Sequence, residues 1–221
     1  MIMDKKYYSD EIAAHEAGHV FALGATGLAD EFQSVTTVHQ TGVQGLTIRN
    51  GESLMRMSME LAGYARRLAD PTRSDEARKA FRDFLMSEAP KTCLPHVCFF
   101  FGGGSIDRFL GCETPERNTI DMYAIRQYVL PAMAIQILDH DLYEIQAKVD
   151  SFLGKSLMTD AVLFKRIYEK LATQRTITAE DKELMCMMRN CTAPMSTAYQ
   201  ELYNWFLDWY MPKVEALPYL Q

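Results

Sequence analysis

EIAAHEAGHVFALG, residues 11–24, is the stretch on which the reading of the chain turns. It is rich in alanine and contains no proline, so it favours a helix. Ser9 or Asp10 can cap its start, and Gly27 lies just past its end. Ile12, Ala13, Ala14, Ala17, Val20, Phe21, Ala22 and Leu23 make it apolar nearly all round, which is the pattern of a buried helix. Two imidazoles and a carboxylate, His15, Glu16 and His19, sit inside that apolar segment. Such groups are costly to bury without partners. The pattern is H-E-x-x-H. On a helix, positions i and i+4 project from one face, so His15 and His19 can bind a single zinc ion. Glu16 follows the first histidine and can take a proton from a water that zinc acidifies. The plain alternative is an amphipathic helix with two surface histidines and a solvated glutamate.

The neighbouring sequence changes period. FQSVTTVH, residues 32–39, is rich in β-branched residues, and VQGLTIR, residues 43–49, reads as its partner across a turn at Thr41-Gly42. Gly45 marks a bulge or a place where backbone approaches closely. Beyond the hairpin the pattern is helical: 52–69, then 74–87. Residues 89–113 are the least regular part, with Pro90, Pro95 and Gly102-Gly103-Gly104. Thr114-Pro115-Glu116 starts another helix that should reach Leu130, where Pro131 breaks or kinks it. Further helices are expected at 132–153, 160–172, 179–189 and 196–210, with Thr178 and Asp181 resembling a capping box. The fold class is mostly α (α+β): the H-E-x-x-H helix and a small N-terminal β-hairpin, followed by a helical bundle.

A net charge of −6 and no Lys/Arg cluster argue against a nucleic-acid partner. No apolar run approaches the roughly 20 residues of a membrane span. The N-terminus lacks the apolar core of a secretory signal. The 5 cysteines are then expected as reduced thiols in a cytoplasmic protein. Gly154-Lys155-Ser156 is half of a phosphate loop, but Val149 stands where its first glycine belongs, so ATP is not expected there.

IAAHEAGHVFALGATG (12–27) together with Val35-Thr36-Thr37 and Gly45-Leu46-Thr47 resembles the peptidase domain of FtsH-type zinc metalloproteases. MELAGYARRL (59–68) is similar to the family's next helix, although Arg66-Arg67 replaces its acidic end. YEKLATQRTITAEDKEL (168–184) resembles the family's helical tail. The resemblance implies one free-standing metallopeptidase domain over 1–221, zincin-like, without the ATPase module or membrane spans. Within it, 1–70 carries the H-E-x-x-H helix, hairpin and next helix, 71–113 is an inserted segment, and 114–221 is the helical part. It also implies a third zinc ligand, an aspartate near the start of a later helix.

Three aspartates are candidates. Asp121, in NTIDMYAIRQYV, shares a helix face with Ile125 and Tyr128 and is preferred; Asp107, in GGGSID, and Asp75 are the others. Cys93, His96, Cys98 and Cys112 could form a second metal site, but their spacing is poor and buried thiols fit better. Cys186 and Cys191 read as structural. His39 reads as a solvated strand-end residue or a substrate contact, and His140 as surface. The aromatic run Tyr199, Tyr203, Trp205, Phe206, Trp209 and Tyr210 recurs at helical spacing and fits core packing.

The expected function is a zinc-dependent endopeptidase acting on polypeptides. His15, His19 and Asp121 would bind one ion and Glu16 would act as the general base. The strand at 43–49 would offer its edge to extended substrate, and folded substrates would need a partner protein for delivery. The alternatives are a non-catalytic interaction or regulatory protein that keeps a metallopeptidase fold, and a metallohydrolase with a non-peptide substrate.

Overall fold

The computed structural model describes residues 4–38, 45–68 and 74–220. His39, the turn at Thr41-Gly42 and the first two residues of the expected second strand lie outside the described residues. The chain is mostly helical with one small antiparallel sheet.

Helix α1 (Glu11–Ala25) is the centre of the molecule, and every residue from Ala13 to Ala25 is buried. Asp10, not Ser9, caps it, accepting the Ala13 N–H at 3.0 Å. At its far end Gly27 takes φ +79° and Leu28 donates its N–H to the Leu23 carbonyl, which closes the helix as a left-handed cap.

Strands β1 (Phe32–Thr36) and β2 (Leu46–Arg49) pair antiparallel, as expected of the hairpin. The register slips between Phe32 and Ser34, so the irregularity lies in β1 and not at Gly45. A third strand, β3 (Thr176–Thr178), pairs antiparallel with β1 and gives the order β2-β1-β3. Among the described residues β1 is therefore central and β2 is an edge.

Helix α2 (Glu52–Leu68) leads to α3 (Ser74–Leu110), a single helix of 37 residues. The expectation of an irregular 89–113 is corrected: Pro90, Pro95 and the glycine run all lie within α3. Tertiary packing outweighs local propensity here. A Cβ on Gly18 would lie 2.5 Å from the Gly102 carbonyl oxygen, and one on Gly102 would lie 2.5 Å from the Gly18 carbonyl oxygen. The two glycines thus let α1 and α3 cross backbone to backbone. α3 ends at Gly111, whose φ of +64° suits a residue without a side chain.

Helix α4 (Pro115–Ala124) does begin at Pro115, but Pro131 does not break the run. A π-turn (Ile125–Val129) passes directly into the short α5 (Leu130–Met133). The chain leaves the helix after Met133, through Ala134 at φ +56°, so the helix expected from 132 begins instead at Asp139. The remaining helices are α6 (Asp139–Thr159), α7 (Ala161–Gln174), α8 (Lys182–Arg189) and α9 (Thr197–Glu215). α8 is capped by Asp181, which accepts the Leu184 N–H; Thr178 belongs to β3 and is not the cap. Residues 168–184 are accordingly helix, strand and helix in turn.

Phe206 and Tyr210 of α9 are fully buried, and the Tyr210 hydroxyl donates to the Met133 carbonyl at 2.8 Å. The aromatic C-terminus packs the core as expected. Among the described residues no helix is long and apolar enough to cross a membrane. Gly154-Lys155-Ser156 lies inside α6, where the Ser156 hydroxyl donates to the Phe152 carbonyl.

Candidate metal centre

The i, i+4 spacing in α1 brings the two ring nitrogens His15 Nε2 and His19 Nε2 to 3.2 Å. Asp121 of α4 completes the group: its Oδ2 lies 3.6 Å from each of those nitrogens. All three residues are buried or nearly so, and among the described residues this is the one group of His, Cys, Asp and Glu side chains gathered closely enough to hold a metal.

Hydrogen bonds at the back of each ring decide what points inward. His15 Nδ1 lies 2.8 Å from Asp107 Oδ2, and His19 Nδ1 lies 2.8 Å from the Phe99 carbonyl oxygen. Both partners are acceptors, so each Nδ1 carries the proton. In the neutral rings both Nε2 atoms then present lone pairs. The third atom, Asp121 Oδ2, is buried and has no hydrogen-bond donor. Three electron-pair donors therefore converge on one small space.

That arrangement is unfavourable alone and fits a cation. Tetrahedral zinc with ligands at about 2.0–2.1 Å puts neighbouring donor atoms about 3.3–3.4 Å apart. The observed separations of 3.2, 3.6 and 3.6 Å bracket that value. A Cβ on Gly103 would lie 2.6 Å from His15 Nε2 and His19 Nε2, so only glycine leaves this space open.

The electrostatics differ between the two rings. Burial and the neighbouring His15 push His19 down to about 4, which keeps it neutral. Burial also works to lower His15, but the hydrogen bond and charge of Asp107 outweigh it, and the net direction is up. Burial, aided by the Asp107 carboxylate, pushes Asp121 up to about 7. The charges of His15 and Arg108 work the other way but do not offset the burial, and a divalent ion at this point would favour the ionised carboxylate.

Glu16 is buried beside the rings, and its charge acts on both imidazoles. Thr47 of β2 donates its hydroxyl to Glu16 Oε2 at 2.6 Å. Glu16 Oε1 sits under Gly45, where a Cβ would approach to 2.5 Å. Gly45 is thus a point of close backbone approach, one of its two expected roles.

The other sequence candidates separate clearly. Asp75 sits with a largely exposed side chain in the first turn of α3. Asp107 does not face the cluster as a ligand; it orients His15 from behind, as a carboxylate commonly does for a metal-bound histidine. The expected shared face of Asp121, Ile125 and Tyr128 is corrected: Ile125 is buried while Tyr128 is 61% exposed, because the π-turn inserts an extra residue into the helical repeat. The cysteine-rich stretch does not gather into a second site. Cys93 faces Met57, Cys112 faces Asp107, and His96 Nε2 bonds Ser53 at 2.8 Å. Cys93, Cys98 and Cys191 are buried, Cys186 is exposed, and His140 is a surface residue.

Sequence reasoning did not name Phe99 or Gly103 as parts of the site, carried Thr47 only within the Gly45-Leu46-Thr47 element, and offered Asp107 only as an alternative ligand to Asp121. The glycine run carried a signal for Gly103 and the Gly45-Leu46-Thr47 element one for Thr47; Phe99 had none. No protein family matches the chain, and neither a curated protein nor a solved structure matches it.

Proposed function

We propose that this chain is a zinc-dependent endopeptidase. His15, His19 and Asp121 would hold the ion, and Glu16 would serve as the general base. The observation that carries the reading is the convergence of three buried electron-pair donors, two with their protons fixed at the far side of the ring, beside a carboxylate that is not part of the ligand set. A zinc ion held by these residues would supply Lewis acidity toward water and a substrate carbonyl.

The chain's own residues do the rest. Asp107 and the Phe99 carbonyl fix both rings with Nε2 inward. Thr47 holds Glu16 Oε2 and so fixes the carboxylate that would take a proton from water and later return it to the leaving amine. β2 is an edge strand, and Thr47 ties it to Glu16, so an extended substrate pairing with β2 would run past the metal centre. Strand pairing favours unfolded segments and loops, so folded substrates would need a partner protein to deliver them. The similarity of residues 12–47 to FtsH-type peptidases supports the same reading, as does the close approach of Gly45 to Glu16.

The test compares wild type with Glu16→Gln on casein and a peptide library, with zinc content measured on both. Full zinc in both proteins and cleavage by wild type alone is the expected result. Equal cleavage by both ends the peptidase proposal. Cleavage that tolerates N-methylation of the substrate backbone would exclude strand pairing.

A further inference from the structure

Beside the edge of β2 lies a groove of about 490 Å³, lined by Ile48 of β2, Leu54 and Met55 of α2, Phe99 and Phe100 of α3, and Tyr128 of the π-turn. It adjoins the metal centre through two residues. Thr47 lines the groove and holds Glu16, and Phe99 lines the groove while its carbonyl holds His19.

The groove is more apolar than polar, with Thr47, Asn50 and Ser58 as its uncharged polar lining. Its one charged lining residue, Arg49, is mostly buried and lies over the rings of Phe99 and Phe100, with centroid distances of 4.9 and 5.3 Å. Its charge is met by Glu31, 3.0 Å away. Glu31 also accepts from Ser53 and, through its carbonyl, from the Asn50 N–H, so the floor under β2 is braced. A charged substrate side chain would lose its water here and find Arg49 already paired.

The volume falls in the range of about 300–1,000 Å³ that takes whole small molecules, more than one side chain needs. An extended chain places residues i and i+2 on the same face, about 6.6–6.8 Å apart. We infer that the groove beside β2 reads two bulky apolar side chains, two residues apart, on an extended polypeptide. The inference rests on the peptidase reading of the adjoining centre and names its substrate class.

The test uses zinc-supplemented Glu16→Gln full-length protein and end-blocked, fluorescein-labelled octapeptides in a serine-rich host, with binding read by anisotropy. Phenylalanines at i and i+2 should bind at least ten-fold tighter than phenylalanines at i and i+3, or than aspartates at i and i+2. Met55→Asp and Tyr128→Ser should each erase that margin. Both side chains are more than half exposed, so neither change threatens the fold. Equal binding of the two spacings, or a margin that survives both variants, overturns the inference. If the spacing preference holds but wild type leaves the peptide intact, the groove stands and the peptidase reading falls. If wild type cleaves both spacings equally well, the groove inference falls and the peptidase reading stands.

Discussion

Gly103→Ala is the most selective perturbation of the metal centre. The added Cβ would lie 2.6 Å from His15 Nε2, His15 Cε1 and His19 Nε2, where ordinary contact begins at 3.4 Å. The rings would have to retreat by roughly 0.8 Å, several times the ~0.2 Å tolerance of a metal–ligand distance. They cannot retreat freely, since both Nδ1 atoms are tied, to Asp107 and to Phe99. Crowding of this kind costs about 1–3 kcal/mol, and replacing a mid-helix glycine by alanine returns up to about 1 kcal/mol. The metal-free protein should therefore stay folded, with a melting temperature within several degrees of wild type, while zinc affinity falls at least 100-fold. Competition with a chromophoric chelator measures the affinity, and thermal unfolding with excess chelator measures the fold. A Gly103→Ala protein that binds zinc as tightly as wild type would refute the placement of the ion between the two rings.

Other outcomes follow from the same geometry. Gly102→Ala should be far more damaging to the fold than Gly103→Ala, because its Cβ meets the Gly18 backbone, which cannot swing aside; a loss of about 3 kcal/mol in urea unfolding is expected. Asp107→Asn should keep zinc binding but weaken it about 10–100-fold, read in the same chelator competition, because the His15 tautomer is no longer enforced. Thr47→Val should lower kcat more than zinc affinity, since it frees Glu16 Oε2 without touching a metal ligand. Asp141 gives a pH signature. Burial works to raise it, but the Leu138 N–H, Lys213 and Trp209 outweigh that and hold it below the usual carboxylate range. A carboxylate lowered on folding stabilises above its unfolded pKa of about 3.9 and loses that contribution as pH falls through the folded value. Asp141→Asn should thus cost about 1–3 kcal/mol at neutral pH, and the gap to wild type should close below about pH 4 in thermal melts.

What could be read from sequence was mostly short-range. His15, Glu16 and His19 lie on one turn of an alanine-rich helix, and their relation follows from helix geometry alone. Asp121 was reachable because it sits near the start of a strongly signalled helix. Asp107 stood out locally as a ligand candidate, but it is 92 residues from His15 and nothing local gave its role behind that ring; only the crossing of α1 and α3 gives it its partner. That crossing was hidden by the same feature that creates it. Gly102, Gly103 and the two prolines read as helix breakers, yet the glycines let the backbones touch and the long helix is held along its length by packing on α1 and α2. β3 is a strand of three residues between two helices; Thr176-Ile177-Thr178 is β-branched throughout but too short to show a period, and pairing with β1 reveals it. The π-turn had no sequence mark either, and it moved Tyr128 from the expected inner face to the rim of the groove.

Anomalous diffraction at the zinc absorption edge, from crystals of wild-type protein grown with equimolar zinc, addresses the central claim most directly. A single peak within coordination distance of His15 Nε2, His19 Nε2 and Asp121 is the predicted result. Zinc bound elsewhere on the protein, with those three atoms sharing no ion, would contradict it.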